Sequence, residues 1–386
     1  MSNSKFEYHD LRLVEPDFKS SLTDLIIELD YLRKKQLSGT TPPAIFFRLK
    51  HIFHMLESMG SARIEGNHTT IAEYIETKIE QPQNPTQQIK EIQNIEEAMF
   101  FVEKNIDDYP INRMFISEMH KKIVEGLECS PHGEGDFTPG KYRTKNVVIA
   151  KASHMPPDHT TIPQYMDELF TFINKTDSSK YDLLKTAIAH HRFVWIHPFS
   201  NGNGRTVRLF TYAMLVKLGF NVNMGRILNP TAIFCNNRDN YYRYLSLADK
   251  GTDNNILSWC EYVLKGLKDE IEKIDRLLDY KFLKEEILLP MIAYSLERQY
   301  ITENESKILN RVVEKKIVQS ADLEDLFPGK LKSEISRQIR KLIEKKMLVP
   351  IETGKRKYVI CFDNNYLLRG IIKMLDIKGF LPVKDE

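Results

Sequence analysis

The stretch His197-Pro198-Phe199-Ser200-Asn201-Gly202-Asn203-Gly204-Arg205-Thr206-Val207-Arg208 constrains the fold more than any other part of this chain. It is a glycine-rich turn that has to be held between two helical segments. Residues 180–195 have helical periodicity, and after the turn Val207, Phe210, Met214 and Leu218 recur at helical spacing. Arg205, Arg208 and Tyr212 fall on the opposite face of that second helix. A helix start offers unpaired N–H groups and positive dipole potential, so it favours an anion such as phosphate. Gly202 and Gly204 let the backbone approach the anion closely, and the two arginines add charge beside it. His197 stands just ahead of the turn, and histidine is suited to proton transfer near neutral pH.

The rest of the chain reads as mainly all-α. Helical periodicity covers 18–36, a longer segment from Ile45 through Leu56 to Glu65, then 69–79, 87–105, 111–127, 161–174, 237–249 and a long charged helix at 254–284. Gly66-Asn67 is a C-terminal stop for the second helix. Glu65 then lies in the last turn, at the unfavourable end of the dipole, which costs a few tenths of a kcal/mol. Either a cation compensates it or water does. Between Pro131 and Arg143 the texture turns to glycine, proline and charge, ending in Gly140-Lys141-Tyr142-Arg143. Asn146–Ala150 is the clearest strand, and Ser153-His154-Met155-Pro156-Pro157 would end a hairpin built on it.

Beyond about residue 300 three short helical segments (303–316, 319–326, 331–346) precede a two-stranded turn, Met347–Val349 and Tyr358–Cys361. Helix, helix, basic helix, hairpin is the winged-helix order. The basic segment and its wing carry Lys332, Arg337, Arg340, Lys341, Lys345, Lys346, Lys355, Arg356 and Lys357. That face suits DNA phosphates, but equally a protein partner or a second copy in a homodimer. Three regions follow: a helical 1–105, a core at 106–285 and a winged-helix-like 286–386.

Composition excludes more than it assigns. Lys+Arg 55 against Asp+Glu 53 points to neither nucleic acid nor membrane in bulk. The four cysteines (Cys129, Cys235, Cys260, Cys361) form no C-x-x-C pair, as expected of a reducing compartment. The N-terminus lacks an apolar signal core, and Ile287–Leu296 is too short to span a bilayer. The expectation is a cytoplasmic protein with no membrane partner. His51 and His54, spaced i, i+3, make a weak metal pair, and the adjacent His190 and His191 face different directions.

The opening stretch resembles the signature of the Fic (Fic/Doc) family, H-P-F-x-[D/E]-G-N-G-R-x-x-R, at nearly every fixed position. The likeness extends over about 111–250, taking in Gly140–Arg143, the hairpin before Pro156-Pro157, and His190. A second match, Ser61-Ala62-Arg63-Ile64-Glu65-Gly66, fits the family's inhibitory motif, [S/T]-x-x-x-E-[G/N], placed ahead of the core. The resemblance implies a helical core with a β-hairpin flap and transfer of AMP from ATP to a hydroxyl of a target protein. It assigns Ser61, Glu65 and Gly66 to inhibition, with Glu65 pairing Arg208 and blocking the seat of the γ-phosphate.

By the same matching, His197 is the general base. Asn201, Gly202, Asn203, Gly204, Arg205, Thr206, Val207 and Arg208 bind the nucleotide, Gly202–Gly204 as an anion nest and the arginines as counter-charges. The flap, about Lys145 to Pro157, pairs with an extended target segment, and its far end, Lys151, Ala152, Ser153 and His154, lies beside the nucleotide. Tyr241 and Tyr242 resemble paired tyrosines of nucleotide sites, though they read equally well as core aromatics. The family's Mg²⁺-binding Asp or Glu is Asn201 here, whose amide oxygen brings no charge and binds the metal more weakly. Two further readings of the same residues are removal of AMP from a modified protein, and a DNA-binding regulator whose core senses nucleotide.

Overall fold

The helix fed by the glycine-rich turn, α8 (Asn203–Lys217), is buried on every side. It packs among α4 (Gln87–Asn105), α5 (Arg113–Val124) and α7 (Asp182–Ile196). The face that carries Arg205, Arg208 and Tyr212 therefore does not meet water. Arg205, Arg208 and Tyr212 are as buried as Val207 and Phe210, and each is matched by a carboxylate brought from another helix or loop. A helix buried all round is what a bundle centre requires, and its charges are tolerated only because they are paired.

The computed structural model describes residues 6–34, 39–149, 152–220, 227–352, 356–363 and 365–381. It divides into two units. The first takes Met1–Gln36, His54–Thr69 and Pro85–Ile271; the second takes Leu37–Phe53, Thr70–Asn84 and Glu272–Glu386. The first contains α1 (Ser21–Lys34), the second half of α2 (Pro43–Glu65), α4, α5, α6 (Ile162–Asn174), α7, α8, α9 (Thr231–Cys235), α10 (Arg238–Ala248) and most of α11 (Asp253–Asp275). Local chemistry sets several boundaries: the side chains of Thr86, Asn112 and Asn237 accept from the backbone at the starts of α4, α5 and α10. α2 stops at a Schellman turn, with Gly66 N donating to Arg63 O at 3.0 Å and Asn67 N to Ala62 O at 3.1 Å. Gly66 has φ +106°, a conformation that a side chain disfavours.

The second unit contains α3 (Ile71–Glu80), α12 (Tyr280–Phe282), α13 (Leu289–Glu297), α14 (Glu303–Lys315), α15 (Lys332–Glu344) and α16 (Leu367–Ile377). Its sheet is β1 (Leu348–Pro350) paired antiparallel with β2 (Tyr358–Ile360), Val349 opposite Val359. Val318, between α14 and the 3-10 turn Ser320–Leu326, adds a bridge to Tyr358 through two hydrogen bonds of 3.0 and 2.9 Å.

Two expectations from the sequence differ from the structure. The charged helix at 254–284 is not continuous. α11 ends at Asp275, Asp279 caps a new start by accepting from Lys281 N at 2.9 Å, and a π-turn at Leu283–Leu288 runs into α13. Pro290 explains the π-turn, because it has no N–H for the preceding turn and its ring crowds the carbonyl four residues back. The strand expected at 146–150 forms no ladder within the described residues 146–149, since no described strand lies beside it. α9 and α16 were not expected, although Leu367, Leu368, Ile371, Ile372 and Leu375 recur at helical spacing in α16. Among the described residues no helix is long and apolar enough to cross a membrane, and all four cysteines are free.

One buried acid in the first unit is a stability liability. Glu57 on α2 accepts from Thr231 N at 2.7 Å, and its Oε2 is buried without a partner among the described residues. Burial, against the help of Thr231, pushes its carboxyl up to about 8. Between the ordinary carboxylate value and that point the folded protein holds a proton that the unfolded chain has released, so stability falls as pH rises through the window. Glu57→Gln keeps the acceptor and removes the ionisation. Its melting temperature is expected to exceed the wild type's by a few degrees at pH 8 and to match it near pH 4.5.

Candidate functional site

The start of α8 already holds an anion, supplied by the chain itself. Arg208 Nη2 donates to Glu65 Oε1 at 2.7 Å, while its Nε and Nη2 reach Ser61 Oγ at 2.9 Å and Ser61 O at 2.8 Å. The carboxylate lies directly against Gly204: a Cβ built there would fall 2.0 Å from Glu65 Oε1. Only glycine admits this approach. Glu65 thus sits at the unfavourable end of its own helix but at the favourable end of another. Burial alone would raise its pKa, yet Arg208 outweighs burial and holds the carboxyl below its usual value. Glu65 is 29% exposed and Arg208 is 1% exposed, so the carboxylate is the partner of the pair that solvent reaches.

His197 ends α7 in a left-handed conformation, φ 51° and ψ 62°, with its N–H bonded to Phe193 O at 3.0 Å. That reversal delivers the chain to the glycine-rich turn. Its Nδ1 is buried without a hydrogen-bond partner among the described residues. Burial, against a main-chain contact with Val194, lowers its pKa to about 4, so the imidazole is neutral at pH 7 and free to accept a proton.

Two residues to which the sequence assigned no role hold this geometry. Arg143 donates from Nε to His197 O at 2.9 Å, from Nη1 to Lys145 O at 2.9 Å and from Nη2 to Pro157 O at 2.6 Å. One guanidinium therefore ties both ends of the flap segment to the histidine. His120 stacks on Phe199 at 3.8 Å, accepts from Gly140 N at 2.8 Å through Nδ1, and contacts Asn201 O at 3.0 Å through Nε2. Accepting at Nδ1 assigns the ring proton to Nε2, which then donates to Asn201. The signal in the sequence was only the Gly140–Arg143 element, with no partner in view, and His120 drew no attention of its own.

The remaining turn residues divide between backbone and side-chain roles. Asn203 fastens the turn to itself, Oδ1 accepting from Phe199 N at 2.9 Å and Nδ2 donating to Phe199 O at 2.8 Å. Thr206 Oγ1 donates to Gly202 O at 2.8 Å, and Val207 is in the core. Arg205 is buried and ion-paired with Glu91 at 2.9 Å and Glu134 at 2.9 Å, with a further bond to Glu134 O at 2.8 Å. Asn201 Oδ1 accepts from Gly202 N at 2.7 Å, and Nδ2 donates to Gly135 O at 3.3 Å. Its amide oxygen is engaged by Gly202 N and offers Mg²⁺ no charge, and no group of three or more His, Cys, Asp or Glu is gathered among the described residues.

The two tyrosines separate in the structure. Tyr241 is buried and its hydroxyl meets His190 Nε2 at 2.9 Å, while His190 Nδ1 meets Thr211 Oγ1 at 2.7 Å. Tyr242 is 43% exposed beside Arg238. Ala152 N donates to Ile149 O at 3.2 Å, Ser153 lies in a bend, and His154 is buried with Nε2 against Trp195 O at 2.9 Å. Lys151 lies outside the described residues, as do Ala150 and Lys355. His54 meets Glu103 at 3.1 Å in the first unit and His51 meets Asp363 at 3.4 Å in the second. The groove beside the flap segment, about 470 Å³, is lined by Phe6, Val147, Val148, Met155, Pro157 and Tyr165 among others.

A helical core surrounds a buried helix, a glycine-rich turn starts that helix, and an arginine on it is held by a carboxylate from a preceding helix. Residues 110–215 match the Fic/DOC family. Over that segment the chain resembles the family. It is similar to a protein adenylyltransferase Fic of Nematostella vectensis, 27% identical over 248 residues, 61% of this chain and 53% of that one. A protein adenylyltransferase Fic of Aedes aegypti is 28% identical over 210 residues, 53% of this chain and 37% of its own. The chain thus spans about half or less of the curated relatives it matches. Among solved structures, a Fic family protein from Desulfovibrio desulfuricans G20 matches over 92% of this chain and 98% of its own, with 18% identity and a TM-score of 0.54. A Fic domain containing signaling protein from Bacteroides thetaiotaomicron covers 66% of this chain and 96% of its own, with 18% identity and a TM-score of 0.53. These two are likenesses of fold.

Proposed function

We propose that this chain is a protein adenylyltransferase held off by its own Glu65. The observation that carries the reading is the carboxylate of Glu65 on Arg208 and Gly204, where a helix start and a guanidinium would otherwise take a phosphate. In the reaction, a hydroxyl oxygen of the target attacks the α-phosphorus of ATP. Its bond to phosphorus forms as the bond from that phosphorus to the pyrophosphate oxygen breaks, and the hydroxyl proton passes to His197. AMP stays on the target and pyrophosphate leaves. The N–H groups of Gly202–Gly204 and the α8 dipole stabilise the charge that develops, and Arg208 holds the γ-phosphate once Glu65 yields. The flap segment, tied down by Arg143, presents the described backbone at 146–148, which makes no ladder, to an extended acceptor peptide. The relatives named protein adenylyltransferase support the same chemistry. Mass spectrometry of the Glu65→Gly chain after incubation with ATP and cell lysate tests it. An added AMP on the chain or a lysate protein is expected, and release of AMP from pre-modified protein without any addition would favour the reverse reaction instead.

Magnesium, which the resemblance attaches to the nucleotide, meets an amide rather than a carboxylate at Asn201, and no step is assigned to it. Asn201→Asp in the Glu65→Gly background is expected to lower the Mg²⁺ concentration for half-maximal transfer about tenfold, because it restores a charged oxygen ligand. A metal titration of the initial rate checks this. Four free thiols fit a reducing, cytoplasmic setting.

A second activity is suggested by the C-terminal elements. α14, Val318, the turn Ser320–Leu326, α15 and the β1–β2 pair follow the order of a winged helix, with α15 in the place of a recognition helix. Ile335, Ile339 and Leu342 face inward, while Arg337, Arg340 and Lys341 are exposed and make no ion pair among the described residues. Such a face suits duplex DNA phosphates. A gel shift of the full chain at low salt is expected to show binding that is lost when these three become glutamine. No shift at low salt would instead leave that face to a protein partner or a second copy of the chain.

A further inference from the structure

Glu65 and Ser61 are not all that fastens the inhibitory turn to the start of α8. Asn67 lies two residues beyond Glu65, and its N–H closes the end of α2 on Ala62. Its Nδ2 donates to Glu91 Oε2 at 2.8 Å and to Gln88 O at 2.8 Å, both on α4. Its Oδ1 accepts from Thr69 N at 2.9 Å, so the amide is spent on holding this one conformation. Glu91 is buried and its other oxygen, Oε1, faces Arg205 Nη1 at 2.9 Å. Arg205 stands in the first turn of α8, three residues before the Arg208 that Glu65 holds. Besides the two bonds from Arg208 to Ser61, two carboxylate links therefore run in parallel from the end of α2 to the start of α8. One is direct, Glu65 to Arg208. The other is relayed, Asn67 to Glu91 to Arg205.

The two links differ in what can displace them. Glu65 is 29% exposed, and an arriving phosphate competes with it on equal chemical terms. Glu91 is 2% exposed, so no phosphate reaches it. The carboxylate of Glu91 is costly to bury, and Arg205 and Asn67 are what hold it there.

We infer that Glu91, with Asn67, is a positioning pair that holds the inhibitory turn in register, so that Glu65 re-forms its contact with Arg208 and resists the nucleotide. This rests on the proposed role of Glu65 and adds the residues that give that role its strength. A carboxylate on a loosely held turn would lose its effective concentration at Arg208, and the nucleotide would win more easily.

The test is a pair of two-by-two cycles in the full-length chain, Asn67→Ala and Glu91→Gln each combined with Glu65→Gly. ATP affinity is read by calorimetry and self-modification by labelled ATP. With Glu65 present, Asn67→Ala is expected to tighten ATP binding at least about threefold and to raise self-modification in parallel. With Glu65 replaced by glycine, the same change is expected to leave both readouts where they were. Glu91→Gln follows the same pattern where it folds, and Asn67→Ala, which leaves the Glu91–Arg205 pair intact, carries the test where it does not. A merely structural role would lower activity equally in both backgrounds, and that result overturns the inference. So does an unchanged ATP affinity in Asn67→Ala with Glu65 present. If Glu65→Gly binds ATP more tightly yet transfers nothing, adenylyl transfer fails as the function while the calorimetric cycle still decides the role of Asn67. If Glu65→Gly leaves ATP affinity unchanged, there is no hold for the pair to support and the inference falls with it.

Discussion

Replacing Glu65 by glycine is expected to raise self-modification from labelled ATP by about 10- to 100-fold, through tighter ATP binding and correct seating of its terminal phosphate. The magnitude follows from the contact removed. The Glu65–Arg208 pair has a fully buried cation, a 2.7 Å hydrogen bond and a carboxylate pressed against Gly204. A competing ligand that must displace such a contact loses roughly 1.5–3 kcal/mol of its own affinity, the range for hydrogen bonds to charged groups. The change also removes a partner from Arg208, which keeps its two bonds to Ser61. The variant is therefore expected to be less stable by about 1–3 kcal/mol without ATP, and to recover much of that loss when ATP binds. A variant that is equally stable and equally inactive would remove Glu65 from any inhibitory role. Thermal melts with and without ATP, run beside the labelling assay, read both effects.

His197→Ala in the Glu65→Gly background is expected to lower the transfer rate by about 10²–10⁴-fold while leaving ATP affinity nearly unchanged. The imidazole is placed to take a proton and makes none of the contacts that would hold phosphate. Because His197 also ends α7 in the left-handed region, His197→Asn is the better control for folding, asparagine being more tolerant of that conformation. Burial makes a second expectation. In the wild-type chain the imidazole should titrate near about 4 by NMR, well below the ordinary 6.5. The same depression means that the unfolded chain takes up a proton at His197 before the folded one does, so this residue lowers stability as pH falls from about 6.5 toward 4.

Much of the site was legible before the fold was known, because its parts are local. The turn from His197 to Arg208, the helix that follows it and the end of α2 at Gly66 are each set by residues within a few positions of one another. Periodicity, glycine placement and capping act over that range. The pairing of Glu65 with Arg208 was legible only through a resemblance, since nothing near Glu65 in sequence names its cation. The partners of the other residues were not legible at all. Arg205 finds Glu134 from 71 positions away, and Arg143 reaches His197 across 54. His120 meets Asn201 across 81, and His190 meets Tyr241 across 51. That the face carrying Arg205, Arg208 and Tyr212 is buried was hidden for the same reason. Charge in sequence does not say whether water or a buried carboxylate will answer it.

By itself the sequence determined where most of the helices run, where the glycine-rich turn lies and which histidine stands beside it, because backbone conformation responds mainly to near neighbours. Tertiary structure alone decided that α8 is buried on all sides and that its arginines are matched by Glu65, Glu91 and Glu134. It also decided that Asn201 turns its oxygen to the backbone. Those outcomes depend on which distant groups folding brings within about 3 Å, where burial makes an unpaired charge too costly to keep.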